Sequence, residues 1–206
     1  MADDWYRSKT WTPDVEADFE ERLSRARSKD QYLRIQALSL VETHPNVALA
    51  LIDRFFALKE PIFPAAGFDV KAKALVRLGR VPEALVAYES AIEAEHARPS
   101  PRTNAATDFA ELVVLTGAQS RYTRALEILE ERQSELAFPV LRFIAHACRA
   151  VILQHQGRLA LAEAEAAAAL AEANRSKSGF QYHQGLGLVG DAQMPLLKLL
   201  HGFRAA

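Results

Sequence analysis

Apolar residues return every three or four positions through most of the chain, the period of helices that bury one face. The pattern is clearest over 68–95, where Phe68, Ala72, Leu75 and Leu78 are followed by Ala84, Leu85, Tyr88, Ala91 and Ile92. Leu78-Gly79-Arg80-Val81-Pro82-Glu83 separates the two runs. Gly79 can take the left-handed conformation that ends a helix, and Pro82 suits the first turn of the next. Ala84 and Ala91 are small where two antiparallel helices must approach closely. The segment therefore predicts a helix–turn–helix hairpin.

A small residue, a bulky one and a small one at offsets of 0, 4 and 7 recur elsewhere. The openings are Ala48 (with Ile52 and Phe55), Ala84 (Tyr88, Ala91), Ala125 (Leu129, Arg132) and Ala162 (Ala166, Ala169), separated by 36, 41 and 37 residues. Gly157 stands in the turn before Ala162, and Gly117 with Tyr122 before Ala125. The first turn uses His44-Pro45-Asn46 instead, with Pro45 opening its second helix.

With Leu78-Gly79 and the Ala-x3-Tyr-x2-Ala pattern of Ala84, Tyr88 and Ala91, residues 68–95 resemble a tetratricopeptide repeat, whose period is about 34 residues. The other units depart from that pattern. The first lacks the turn glycine, the third carries Arg132 at the last small position, and the fourth has Ala166 for the aromatic residue. The resemblance implies an all-α fold, a right-handed superhelical stack of about four helix hairpins over 30–175. Periodicity alone leaves an unrelated up-down helical bundle open. In the resembling family the first helix of each unit lines a concave, partner-binding groove. Carried over residue by residue, the groove positions are Arg34, then Asp69, Lys73 and Arg77, then Asn104, Asp108 and Glu111, then Gln154 and His155. Family members that clamp the carboxylate of heat-shock chaperones place basic and amide side chains where this chain has Leu33 and Ala37, which puts that role in doubt.

The ends read differently. Thr12-Pro13 opens a leading helix over 14–27, and Asp30 is placed to cap the next. Trp5, Tyr6 and Trp11 crowd ahead of that helix, so 1–29 is expected to cap the first hairpin. At the other end, 176–206 combines Gly179, Gly185, Gly187 and Gly190 with Phe180, Tyr182, Leu186 and Leu188. That segment is too apolar for a free tail and is expected to pack on the hairpins, followed by a short helix over 194–203.

Charge and chemistry narrow the function. With 25 basic and 26 acidic residues the net charge is −1, which gives no field to hold nucleic acid. The single cysteine, Cys148, fits a reducing cytoplasm and sits among apolar neighbours, as an inert thiol would. The acidic start and the glutamates interrupting 159–173 argue against a signal peptide and a membrane span. Gly185-Leu186-Gly187-Leu188-Val189-Gly190 spells a phosphate-binding fingerprint, but helices precede it where a strand is needed, and the chain ends 16 residues later, short of the acidic partner expected about 20 residues on. The six histidines show no metal-ligand spacing, and His146 and Cys148 point about 200° apart on one helix. Glu127, Glu130 and Glu131 read as a solvated face. The expectation is a cytoplasmic, non-enzymatic module without cofactor, metal or catalytic residues that binds a protein or peptide. An immunity protein or antitoxin that neutralises a bacterial toxin is the more specific form of that reading. An enzyme on a helical scaffold is the rival.

Overall fold

A computed structural model describes residues 4–98 and 102–202. Every regular element among them is helical: α1 (Pro13–Arg25), α2 (Lys29–Leu40), α3 (Pro45–Ala57), α4 (Pro64–Arg77), α5 (Val81–Ala97), α6 (Ala105–Leu115), α7 (Tyr122–Glu131), α8 (Pro139–His155), α9 (Leu159–Ala173) and α10 (Met194–His201). The chain forms two compact units that meet at Ala105 and Ala106.

Local signals set the helix starts. Thr12 caps α1 by accepting from the Val15 amide at 3.3 Å, and prolines open α3, α4, α5, α8 and α10. Asp30 is not a cap: Ser28 holds that position, and the Asp30 carboxylate accepts from the Ile62 amide at 3.2 Å. α1 also stops at Arg25, where the backbone turns extended at Ala26.

Three turns share one stop. Gly79, Gly117 and Gly157 have φ of 71°, 65° and 72°. After each, an amide reaches back five residues: Arg80 to the Leu75 carbonyl at 2.9 Å, Ala118 to Val113 at 3.0 Å, and Arg158 to Leu153 at 2.9 Å. The left-handed glycine lets the chain reverse while satisfying carbonyls the helix end leaves open. The first turn manages without glycine, with His44 donating to the Leu40 carbonyl at 2.7 Å.

In the first unit α2 packs on α3, α3 on α4, and α4 on α5. Phe19, Leu33, Leu40, Ile52, Phe55 and Val70 fill the core below α1–α4. Trp5, Tyr6 and Trp11 pack against this core: Trp5 lies 4.9 Å from Tyr32 and 5.4 Å from Phe19, and Trp11 lies 5.4 Å from Phe19. Gln36, buried in α2, ties the segment down by accepting from the Ser8 amide at 3.1 Å and donating to the Ser8 carbonyl at 2.7 Å.

In the second unit α8 packs on α9 and α10, around buried Phe109, Ile128, Phe143, Ile152 and Leu196. Each such side chain contributes roughly 1.5–3 kcal/mol when fully buried. Ala48, Ala84, Ala125 and Ala162, the four openings of the sequence template, are at most 1 % exposed. Arg132, in place of the third unit's last small residue, is buried too, its Nη1 3.1 Å from Glu135.

The Gly-rich segment packs on the start of α8, where Gly187 accepts from the Val140 amide at 2.8 Å and the Phe180 ring lies 5.1 Å from Phe138. Tyr182 does not follow it and stays 84 % exposed. Residues 185–190 form turns with no strand before them, so the fingerprint spelling has no structural counterpart. The end of the final helix expected at 203 lies outside the described residues.

Candidate functional site

The transferred groove positions carry varied environments. In the first unit Arg34 is half-buried on α2, and burial lowers its pKa against the opposing pull of Asp30. Asp69 is buried on α4, where one carboxylate oxygen accepts from Lys73 Nζ at 2.7 Å and the other, also buried, has no hydrogen bond. Burial pushes the Asp69 carboxyl above its usual range, with Lys73 pulling it back and Glu95 adding to the rise. Asp69 and Lys73 are thus coupled to the interior, whereas Arg77 stays exposed and pairs with Glu42 at 3.3 Å. Asn104, just ahead of α6, is exposed.

In the second unit Asp108 and Glu111 are both half-buried on α6. Burial first and the Asp108 charge second raise the Glu111 carboxyl to about 7. That carboxyl in turn pushes up the Cys148 thiol, which complete burial already holds well above its ordinary value. Gln154 and His155 are exposed at the end of α8, with the His155 ring edge-on to Tyr122 at 5.2 Å. The structure joins Asp69 to Lys73 through an ion pair and places Asp108 beside Glu111.

Sequence reasoning passed over the buried polar residues. Glu95 is 2 % exposed and accepts from the Thr103 amide at 2.6 Å and the Thr103 hydroxyl at 2.7 Å. Arg149 is 5 % exposed, and its Nη2 donates to the Leu129 carbonyl at 2.7 Å. Both stand in register with an apolar stripe, Glu95 after Ala91 and Ile92, and Arg149 between Ala145 and Ile152. A charged residue in such a register was the available signal.

The surface recesses lie elsewhere than the transferred groove. In the first unit one of about 420 Å³ opens over α4 and α5, with Leu75, Lys71 and the exposed Val86 in its walls. Another, of about 370 Å³, opens over α2 between α1 and α3 and includes Leu33, Glu20 and Arg54. The second unit has one of about 370 Å³ among α7, α8 and α9, walled by Leu126, Leu153, Leu161, Arg149 and Arg158. These sizes suit a single inserted side chain or small ligand.

The α4–α5 and α8–α9 recesses match at their first-helix positions, though not at Val86 and Leu161, which stand 75 residues apart. Lys71 and Arg149 stand 78 residues apart, as do Leu75 and Leu153, and as do Ala84 and Ala162. In each, the basic residue reaches an acid on the preceding second helix: Lys71 to Asp53 at 3.1 Å, and Arg149 to Glu130 at 3.8 Å. Asp53 and Glu130 are 77 apart, as are Ala48 and Ala125. No family model matches the chain, and neither does any curated protein or solved structure.

Proposed function

We propose that this chain is a non-enzymatic, cytoplasmic protein-binding module built from tetratricopeptide-like hairpins, with the right-handed superhelical stacking such units adopt. The repeated recess supports the reading. In each unit a leucine on a first helix, Leu75 or Leu153, is left at a surface hollow beside an aliphatic residue exposed by half, Val86 or Leu161. Apolar side chains gathered at a hollow with a charged rim are the usual makings of a protein contact. The shared turn geometry and the matched spacing of Lys71–Asp53 and Arg149–Glu130 support the repeat assignment.

The test is co-purification from the native host, followed by titration of the recovered protein against the chain and its variants. A stoichiometric complex that Val86→Glu or Leu161→Glu weakens at least tenfold, with helicity unchanged, supports the reading. A complex indifferent to both, or a chain that turns over a substrate, overturns it. Arg77→Glu is the matching test of the first-helix groove. Lys73→Glu is not, because it would face the buried Asp69 carboxylate and destabilise the first unit.

A further inference from the structure

The Gly-rich segment of the second unit is a shaped loop that carries its apolar side chains outward. The Ser178 amide donates to the Gln184 carbonyl at 2.7 Å, and the Ser178 hydroxyl to the His183 carbonyl at 2.8 Å. Farther on, the Leu186 amide donates to the same His183 carbonyl at 3.0 Å, and the Val140 amide of α8 to the Gly187 carbonyl at 2.8 Å. Gly187 stands so close to Phe138 that a Cβ would not fit. These ties fix the backbone, yet they leave Phe180 40 %, Leu186 54 % and Tyr182 84 % exposed. α10 adds exposed Met194 and Leu199. Five of the twelve large apolar side chains exposed among the described residues thus fall within 180–199, a concentration that singly scattered surface residues do not give.

The same stretch is short of acids. Over 173–202 Arg175, Lys177 and Lys198 stand against Asp191 alone, a charge of +2 in a chain whose net charge is −1. Glu172, just outside it, is held by Arg142 at 3.0 Å and meets Arg175 only at 3.5 Å. Lys177 and Lys198 are exposed, with no ion pair among the described residues. An outward tyrosine on a backbone already fixed is ordered before it binds, which lowers the entropic cost of using it as an anchor. An anionic lipid surface asks for a denser cluster of cations and for no particular loop shape, whereas a fixed loop suits a matching cleft.

Resting on the protein-binding reading, we propose that the loop over 178–190 inserts into an apolar cleft of the partner protein, with Tyr182 as its anchor and Leu186 beside it. Aspartate or glutamate side chains at the mouth of that cleft face Lys177 and Arg175.

The test titrates the full chain and its variants against the protein recovered by co-purification. Tyr182→Ser should weaken the complex roughly tenfold or more with helicity unchanged, because that side chain contributes nothing to the core. Tyr182→Phe, which keeps the ring, should restore most of the affinity. Lys177→Glu should weaken binding several-fold, and more so at low salt. Carbodiimide, which joins amines to carboxylates, should link Lys177 to an aspartate or glutamate of the partner, located by mass spectrometry. Indifference to Tyr182→Ser, or tighter binding by Lys177→Glu, overturns the proposal. A complex that survives Tyr182→Ser but is lost on Val86→Glu or Leu161→Glu does so while leaving the protein-binding reading standing, and a chain that recovers no protein overturns both. Vesicles of phosphatidylcholine with phosphatidylserine are the second probe. If they sediment the parent chain but not Tyr182→Ser, while the partner binds both alike, lipid and not protein is the occupant.

Discussion

Replacing Glu111 by glutamine should make the second unit more stable at neutral pH, although it removes a charge from a chain that is almost neutral. Glu111 titrates at about 7 in the folded chain, chiefly because burial disfavours its ionised form, with the Asp108 charge adding to the rise. An unfolded glutamate titrates near 4.3. Ionisation therefore opposes folding: the penalty is absent below about pH 4, grows between the two values and is complete above about 7. A gap of roughly 2.7 pH units, at about 1.36 kcal/mol each, sets an upper bound of about 3.7 kcal/mol. Water reaching part of the half-buried side chain brings the expected gain to roughly 2 kcal/mol. Glutamine keeps the shape and removes the ionisation.

The two units can be followed separately. Both tryptophans, Trp5 and Trp11, belong to the first unit, and the only cysteine, Cys148, is buried in the second. Samples equilibrated in urea between pH 4 and 8 receive a brief thiol-labelling pulse for Cys148, and tryptophan emission is read in parallel. Glu111→Gln should raise the Cys148 protection midpoint at pH 8 and leave it unchanged near pH 4, with the tryptophan transition unmoved. A variant no more stable than the parent at pH 8, or a gain that does not fade with acid, refutes the reasoning.

Three further outcomes follow from the packing. Gln36→Ala removes both bonds to Ser8 and should cost roughly 1–3 kcal/mol of docking, seen as a red shift of tryptophan emission before the helices unfold. At Gly187, where φ is 69°, an added Cβ would lie 2.5 Å from Phe138 Cδ1. Gly187→Ala should therefore expose the Gly-rich segment to limited proteolysis, whereas Gly185→Ala, with open space around it, should not. The native Cys148 thiol should resist alkylation at pH 8 until urea unfolds the second unit, because burial, Glu111 and the folded core all disfavour the thiolate.

Helices and turns were legible because their causes are local. Thr12-Pro13, Pro45, Gly79, Gly117 and Gly157 act where they stand, and the alanine template marked four positions that prove fully buried. The cap at Ser28 was missed because Asp30 is claimed by the Ile62 amide, a partner 32 residues away. Site chemistry was less legible. Positions carried over from a family pattern placed Asp69 in an open groove, yet its carboxylate is buried and held by Lys73. Arg149 stands in the apolar stretch around Cys148, and only the third dimension brings Leu126, Leu161 and Arg158 near it. Its register in an apolar stripe was the clue that sequence did offer.

The central claim is that the recesses meet a protein, and photo-cross-linking in the native host tests it most directly. A photoreactive amino acid is placed at Val86, at Leu161 and, as an exposed control outside these two recesses, at Lys59. One dominant protein should be cross-linked from Val86 or Leu161 and be absent from Lys59. Irradiation that yields no adduct from either recess, or the same adducts from Lys59, would contradict it.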